Sequence, residues 1–100
     1  MTRDVYRFTF NTDAPIEEVE ASLLLAILAT ESLHGQCQVR LDAAHYLDPA
    51  RRACVIDAGT PVGRDLNRLF TGFIGREFGQ DAFSVERVED HIHEPQEAAA

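Results

Sequence analysis

Residues 15–34 (PIEEVEASLLLAILATESLH) constrain the fold more than any other stretch of the chain. Apolar residues recur at i, i+3, i+7 and i+11 from Ile16, and further leucines widen the stripe to about half of the circumference. Asp13 can cap the first turn, Pro15 suits a helix start, and Gly35 follows the last periodic position. We therefore predict a helix over residues 15–34. A helix this apolar needs a sheet or another helix to cover it.

Alternating residues near the N-terminus predict a half-buried strand over residues 5–10. Its aromatic residues share one face, which we expect to pack on the core. The opposite face carries Val5, Arg7 and Thr9.

Residues 37–58 predict a β-hairpin. Apolar residues alternate with Gln38, Arg40, Asp42 and Ala44, and the run ends at Leu47-Asp48-Pro49-Ala50, where proline favours a turn. The run ACVIDA at residues 53–58 predicts the returning strand. If Asp48 faces Arg51, His45 lies opposite Cys54 and Ala43 opposite Ile56, and a different loop would shift this register by one or two residues.

A second amphipathic helix is predicted to begin after Gly59, with Thr60 as N-cap and Pro61 at its first position. Interior glycines are unfavourable in helices, so we expect Gly72 and Gly75 to approach a neighbouring backbone closely and Gly79 to end the helix. Residues 82–88 predict a last strand. From residue 89 onward the apolar content falls, which predicts a frayed or disordered acidic tail over residues 89–100.

The predicted order β-α-β-β-α-β is that of the ferredoxin-like, or split βαβ, motif. We therefore expect an α+β sandwich over residues 1–88, a single domain in which two helices cover one face of a four-stranded antiparallel sheet. Strands one and three are expected at its centre. Because this fold hosts many unrelated functions, it does not by itself indicate one.

Composition excludes some classes of function. The chain has 17 acidic and 9 basic residues, giving a net charge of −8, and its arginines are scattered, so nucleic-acid binding is disfavoured. The N-terminus lacks the apolar run of a signal peptide, and no apolar stretch is long enough to span a membrane. We expect a cytoplasmic protein without a cofactor, in which Cys37 and Cys54 are free thiols.

The face of the predicted sheet that points away from the helices is the best candidate for function. Small apolar residues lie at its centre and charged residues towards its edges, which is the pattern of a protein interface. The candidate interface residues are Val5, Arg7, Thr9, Arg40, Asp42, Ala53, Val55 and Asp57. They predict a non-enzymatic assembly or adaptor domain that forms a homodimer or binds a protein partner. The alternative is a regulatory module that senses a small molecule. A solvated face with a few apolar residues is the simpler structural interpretation.

Four patterns suggest chemistry, and each also has a structural explanation. Glu31 and His34 have the spacing of di-metal helical bundles, but the second helix lacks the matching motif. His91 and His93 could bind a metal from the tail, where nothing fixes their geometry. His45 and Cys54 could form an imidazole–thiolate pair in a small enzyme, although the apolar run around Cys54 favours a buried thiol. Residues 72–75 match the GxxG of some RNA-binding loops, but their Phe and Ile indicate helix packing.

Overall fold

A computed structural model describes residues 4–88 of the chain. They form an α+β domain with a four-stranded antiparallel sheet in the order β2-β3-β1-β4. The strands are β1 (Val5–Phe10), β2 (His45–Asp48), β3 (Ala53–Asp57) and β4 (Phe83–Val88). The helices are α1 (Ile16–His34), α2 (Gln36–Asp42) and α3 (Pro61–Phe78), and a 3₁₀ turn (Gln80–Ala82) precedes β4. The predicted antiparallel α+β class is therefore confirmed.

The core lies between one face of the sheet and helices α1 and α3. The β1 strand contributes Phe8 and Phe10, both buried as the alternation predicts, and the ring of Phe8 meets that of Phe70 edge-on at 5.0 Å between centroids. Helix α1 contributes Val19, Leu23 and Ala26 to the same cluster, and α3 contributes Leu66, Phe70 and Ile74. The two long helices run antiparallel, since the end of α1 meets the start of α3 through His34 and Asp65.

Both long helices begin within one residue of the predicted position, but only α3 has the predicted cap. The Thr60 hydroxyl accepts a hydrogen bond from the Gly63 amide at 2.9 Å, and Pro61 is the first helical residue. Helix α1 has no side-chain cap, so the predicted role of Asp13 is wrong. The Asp13 amide instead donates to Asn11 Oδ1 in the preceding loop. Gly79 ends α3 with φ of 90°, as predicted.

Residues 36–42 form a helix, so the strand predicted from residue 37 to the turn at Leu47 is wrong over its first part and correct only from His45, where β2 begins. Gly35 has φ of 90° and lets the chain leave α1 and begin α2 at once. Only Val39 of α2 is buried, and Gln38 donates to Asp42 Oδ2 one turn later at 2.6 Å. Three helices therefore stand where the predicted βαββαβ order has two.

The hairpin register also differs from the prediction. β2 begins at His45, and β2 pairs with β3 so that His45 lies opposite Ile56, Leu47 opposite Cys54, and Asp48 opposite Ala53. The predicted facing of Asp48 and Arg51 is wrong because a four-residue connection separates the two strands. The hairpin is thus two residues out of the predicted register.

Arg52, at the end of that connection, ties the hairpin to the loop before α1. It has φ of 54°, a left-handed conformation that costs energy for a residue with a side chain. Its guanidinium donates to the carbonyl oxygen of Phe10 at 3.2 Å, to that of Asn11 at 2.6 Å, and to that of Ala14. These bonds satisfy three backbone acceptors at the point where β1 gives way to α1.

Within residues 4–88, no helix is long and apolar enough to cross a membrane. The predicted tail over residues 89–100 lies outside the described residues.

Candidate functional site

The face of the sheet opposite the core, called the open face here, brings together most of the predicted interface residues. Central strand β1 places Val5, Arg7 and Thr9 on it, and central strand β3 pairs Asp57, Val55 and Ala53 with them in register. Each of these six residues is part-buried or exposed, in contrast to Phe8, Cys54 and Ile56 on the inner face. The strand alternation therefore assigned both faces of the two central strands correctly.

Arg40 and Asp42 do not belong to the open face. Both lie on α2, because residues 36–42 are helical and contribute no strand to the sheet. At the edge of the open face the structure places Tyr46, which pairs with Val55, and Asp48, which pairs with Ala53. The β2 edge of the open face is consequently aromatic as well as charged.

Tyr46 stands between two depressions of the open face. Its side chain is 65% exposed, a high value for a large aromatic residue. On one side is a depression of about 360 Å³ lined by Arg7, Thr9, Tyr46, Asp48, Arg51, Ala53 and Val55. On the other is one of about 230 Å³ lined by Val5, Ala44, His45, Tyr46, Val55 and Asp57. The exposed ring of Tyr46 therefore lies directly beside two depressions of the same face.

Ion pairs lie among the apolar residues of the open face, and Arg7 pairs directly with Val55 across the two central strands. Arg7 Nη2 lies 2.5 Å from Glu86 Oε2 across the β1–β4 pairing, and the two side chains are 42% and 62% exposed. Arg51 Nε lies 3.7 Å from Asp48 Oδ2 beside the larger depression. Exposed pairs of this kind stabilise a fold by only about 0.2–1 kcal/mol. Their main effect is to place both signs of charge beside Val5, Val55 and Ala53.

The outer face of α1 is a second candidate surface, which the sequence interpretation missed as a site. Leu24, Leu25 and Leu28 are 57%, 55% and 59% exposed and lie close together on the helix surface. The signal was present in the sequence, since an apolar stripe over about half of the circumference is wider than the stripe by which a surface helix usually faces its core. Within residues 4–88 nothing buries these three leucines.

The His45–Cys54 pair has no support as a catalytic dyad. Cys54 is completely buried, and this burial raises the pKa of its thiol to about 12, so the nucleophilic thiolate is disfavoured. His45 lies opposite Ile56 rather than Cys54, and burial lowers the pKa of its imidazole. Leu47 takes the position opposite the thiol.

The remaining patterns that suggested chemistry have structural explanations wherever they fall within residues 4–88. His34 Nε2 lies 2.8 Å from Asp65 Oδ2 and so joins α1 to α3. No group of three or more metal-ligating side chains occurs in the part of the chain from residue 4 to residue 88. Residues 72–75 lie inside α3, where Phe73 packs on the core and Ile74 is buried. His91 and His93 lie outside the described residues.

Comparison of the chain with protein-family models, with curated proteins and with solved structures gives no match.

Proposed function

We propose that this protein is a non-enzymatic assembly domain that forms a homodimer through the open face of its sheet. The observation that carries the proposal is the position of Tyr46 between two depressions of the open face. In a twofold pairing each surface meets its own copy, so one projection beside one depression is sufficient for mutual insertion. Aromatic anchors that fill pockets are also the residues that contribute most to binding at protein interfaces.

The chemistry of the open face supports the same proposal. Val5, Ala53 and Val55 would supply apolar contacts, and the Arg7–Glu86 and Arg51–Asp48 pairs would supply charged contacts beside them. Because these pairs carry both signs of charge, a second copy can be oriented so that unlike charges meet. The overall charge of −8 would oppose pairing only weakly at physiological salt, where screening is strong.

For the architecture, we propose a ferredoxin-like sandwich in which α2 is an addition. The central position of β1 and β3 and the packing of α1 and α3 on the inner face support this assignment. Helix α2 contributes only Val39 to the buried residues. Its presence does not alter which residues reach the open face from the two central strands.

Native mass spectrometry and sedimentation of the purified chain test the proposal. We expect self-association of the wild-type chain that is weakened by Val55→Asp, which places a carboxylate among the apolar residues of the open face, and by Tyr46→Ala, which removes the exposed ring. Thr12→Asp is the matched control, because it adds the same charge in an exposed loop. Melting curves verify that each variant folds. If Val55→Asp and Tyr46→Ala both leave the association constant at the wild-type value, the proposal is wrong.

A small-molecule regulatory module is the second candidate. Two arginines, a carboxylate and a phenol, from Arg7, Arg51, Asp48 and Tyr46, line the larger depression, whose volume of about 360 Å³ suits a small polar metabolite. Melting curves measured across a panel of carboxylate and phosphate metabolites test this candidate. A reproducible small adduct in the native mass spectrum would favour it over dimerisation, and unchanged melting temperatures would count against it.

A further inference from the structure

The outer side of the helical layer, opposite the open face, carries two unlike surfaces. On α1, the exposed leucines Leu24, Leu25 and Leu28 follow an acidic first turn. On α3, the exposed polar side is basic and carries Arg64, Arg68 and Arg76. The Arg68 side chain is 73% exposed and makes only a long contact of 3.9 Å with Asp65. The first turn of α1 is therefore acidic, whereas the exposed side of α3 carries three arginines.

Most of these charges have no partner within residues 4–88. The structure gives no ion pair to Glu17, Glu18 or Glu20 on α1, and none to Arg64 or Arg76 on α3. Within the described part of one chain the acidic side chains of α1 and the basic side chains of α3 form no ion pair with each other. A second layer of the same kind, turned to face the first, would bring them together.

A depression between α1 and α3 offers a binding position for a charged side chain of a second copy. It has a volume of about 290 Å³ and is lined by Glu18, Ala21, Ser22, Leu25 and Glu77. Two carboxylates and an exposed leucine at its border suit the guanidinium and the aliphatic stem of an arginine. Arg76 is an exposed arginine adjacent to Glu77 and so lies at this level of the layer.

We infer that the helical layer docks onto the helical layer of a second copy of this chain, with a twofold axis along the groove between α1 and α3. This axis places α1 of one copy over α3 of the other. Because the axis is parallel to the helices, each residue keeps its position along the helix direction. The leucine face then lies against the basic helix of the second copy, and Arg76 of that copy enters the depression between Glu18 and Glu77. The symmetry repeats both contacts.

The available area is consistent with a specific interface. A helix of 19 residues is about 28 Å long, and packed helices lie about 10 Å apart. The two helices therefore offer a footprint of about 560 Å² per copy, or about 1,100 Å² in total, just above what a specific interface requires. Leu24, Leu25 and Leu28 would supply its apolar centre, and the acidic and basic side chains its rim.

This inference is independent of the proposed function, because the two surfaces lie on opposite sides of the molecule. The test is therefore made in a chain carrying Val55→Asp, in which the open face is blocked. In that background we expect a dimer by sedimentation at micromolar to millimolar concentration. Arg76→Glu and Glu18→Arg should each raise the dissociation constant by about tenfold or more, since each brings like charges together.

Mixing the two charge-reversed chains supplies the decisive measurement. In the mixed dimer, the arginine introduced by Glu18→Arg in one chain meets the glutamate introduced by Arg76→Glu in the other. The second contact is wild type, so association should return to within about threefold of the parent value. Arg40→Glu on α2 is the matched control for charge and should leave the parent value unchanged. A Val55→Asp chain that stays monomeric at millimolar concentration overturns the inference, as does a mixture that associates no better than its components.

The same variants in a Tyr46→Ala background guard against a folding defect in Val55→Asp. If neither open-face variant affects association, the proposed function fails while the mixing experiment still tests the helical interface. If both open-face variants yield monomers, the proposed function stands and the helical interface is excluded.

Discussion

The backbone carbonyl oxygen of Asp57 occupies the position that a Cβ atom on residue 63 would need. This close approach joins the end of β3 to the first turn of α3. We expect Gly63→Ala to lower the free energy of unfolding by about 2–3 kcal/mol, because neither backbone can move freely. The close backbone approach predicted for Gly72 is wrong, since nothing lies within 4 Å of its Cβ position, and Gly72→Ala should raise the free energy of unfolding by about 0.5–1 kcal/mol. Urea denaturation measures both, and similar effects at the two sites would contradict the close approach.

Arg52 and its neighbour Arg51 should differ sharply in their contribution to stability. The Arg52 guanidinium donates to three backbone carbonyls, whereas the Arg51 side chain is 85% exposed. We expect Arg52→Ala to cost about 2 kcal/mol and Arg51→Ala about 0.5 kcal/mol or less. Thermal or urea unfolding of the two variants checks this. Equal losses of unfolding free energy would mean that the loop before α1 does not depend on the hydrogen bonds from Arg52.

Burial of Cys54 predicts a loss of stability at high pH. The pKa of its thiol is about 12 in the folded protein, above the ordinary value near 9, so the unfolded state releases its proton first. Stability is therefore complete below about pH 9 and falls by about 1.4 kcal/mol per pH unit between there and about pH 12. Unfolding of wild type and Cys54→Ala at about pH 8 and about pH 10 isolates this contribution, because the variant lacks the thiol.

The same burial predicts selective alkylation. Cys37 is exposed and should react with iodoacetamide at the rate of a free thiol, whereas Cys54 should react only when the protein unfolds. Mass spectrometry counts the modified thiols over time. Two alkylations at equal rates in the folded protein would contradict the position of Cys54 in the core.

Leucines of α1 should separate into two energetic groups. Leu23 is 4% exposed and lies in the core, so Leu23→Ala should cost about 2–4 kcal/mol. Leu28 is 59% exposed, and Leu28→Gln should change the stability of the monomer by no more than about 0.5 kcal/mol. The measurement is urea unfolding at low protein concentration. A large loss for Leu28→Gln at that concentration would show that its side chain packs within a single chain.

Alternation predicted the sheet well where both faces of a strand had distinct surroundings. In β1 and β3 the inner residues are apolar and buried. The alternation therefore placed Val5, Thr9 and Val55 correctly on the open face. In residues 37–44 the same alternation misled, because only Val39 is buried there and Leu41 is 79% exposed. Local pattern alone does not separate a short helix with one buried residue from an edge strand.

The candidate site was harder to predict than the fold because it depends on distances between elements. Tyr46 falls on the open face in the predicted register as well as in the true one, but its partner changes from Ala53 to Val55, because the length of the turn before β3 sets the register. The exposure of Leu24, Leu25 and Leu28 depends on how many elements cover α1, which no local pattern specifies. In both cases the residues were visible in the sequence but their surroundings were not.

The thin shape of the domain, 18 Å across its shortest dimension, has a consequence for stoichiometry. A face-to-face twofold contact has its axis in the plane of the contact, and the open face and the helical layer lie in roughly parallel planes. Two such axes do not meet, so successive rotations advance along a line instead of closing a ring. If both faces bind copies, the chains grow as an alternating stack. A variant with one blocked face would then act as a terminator, and a small molar fraction of it would limit the length of every stack.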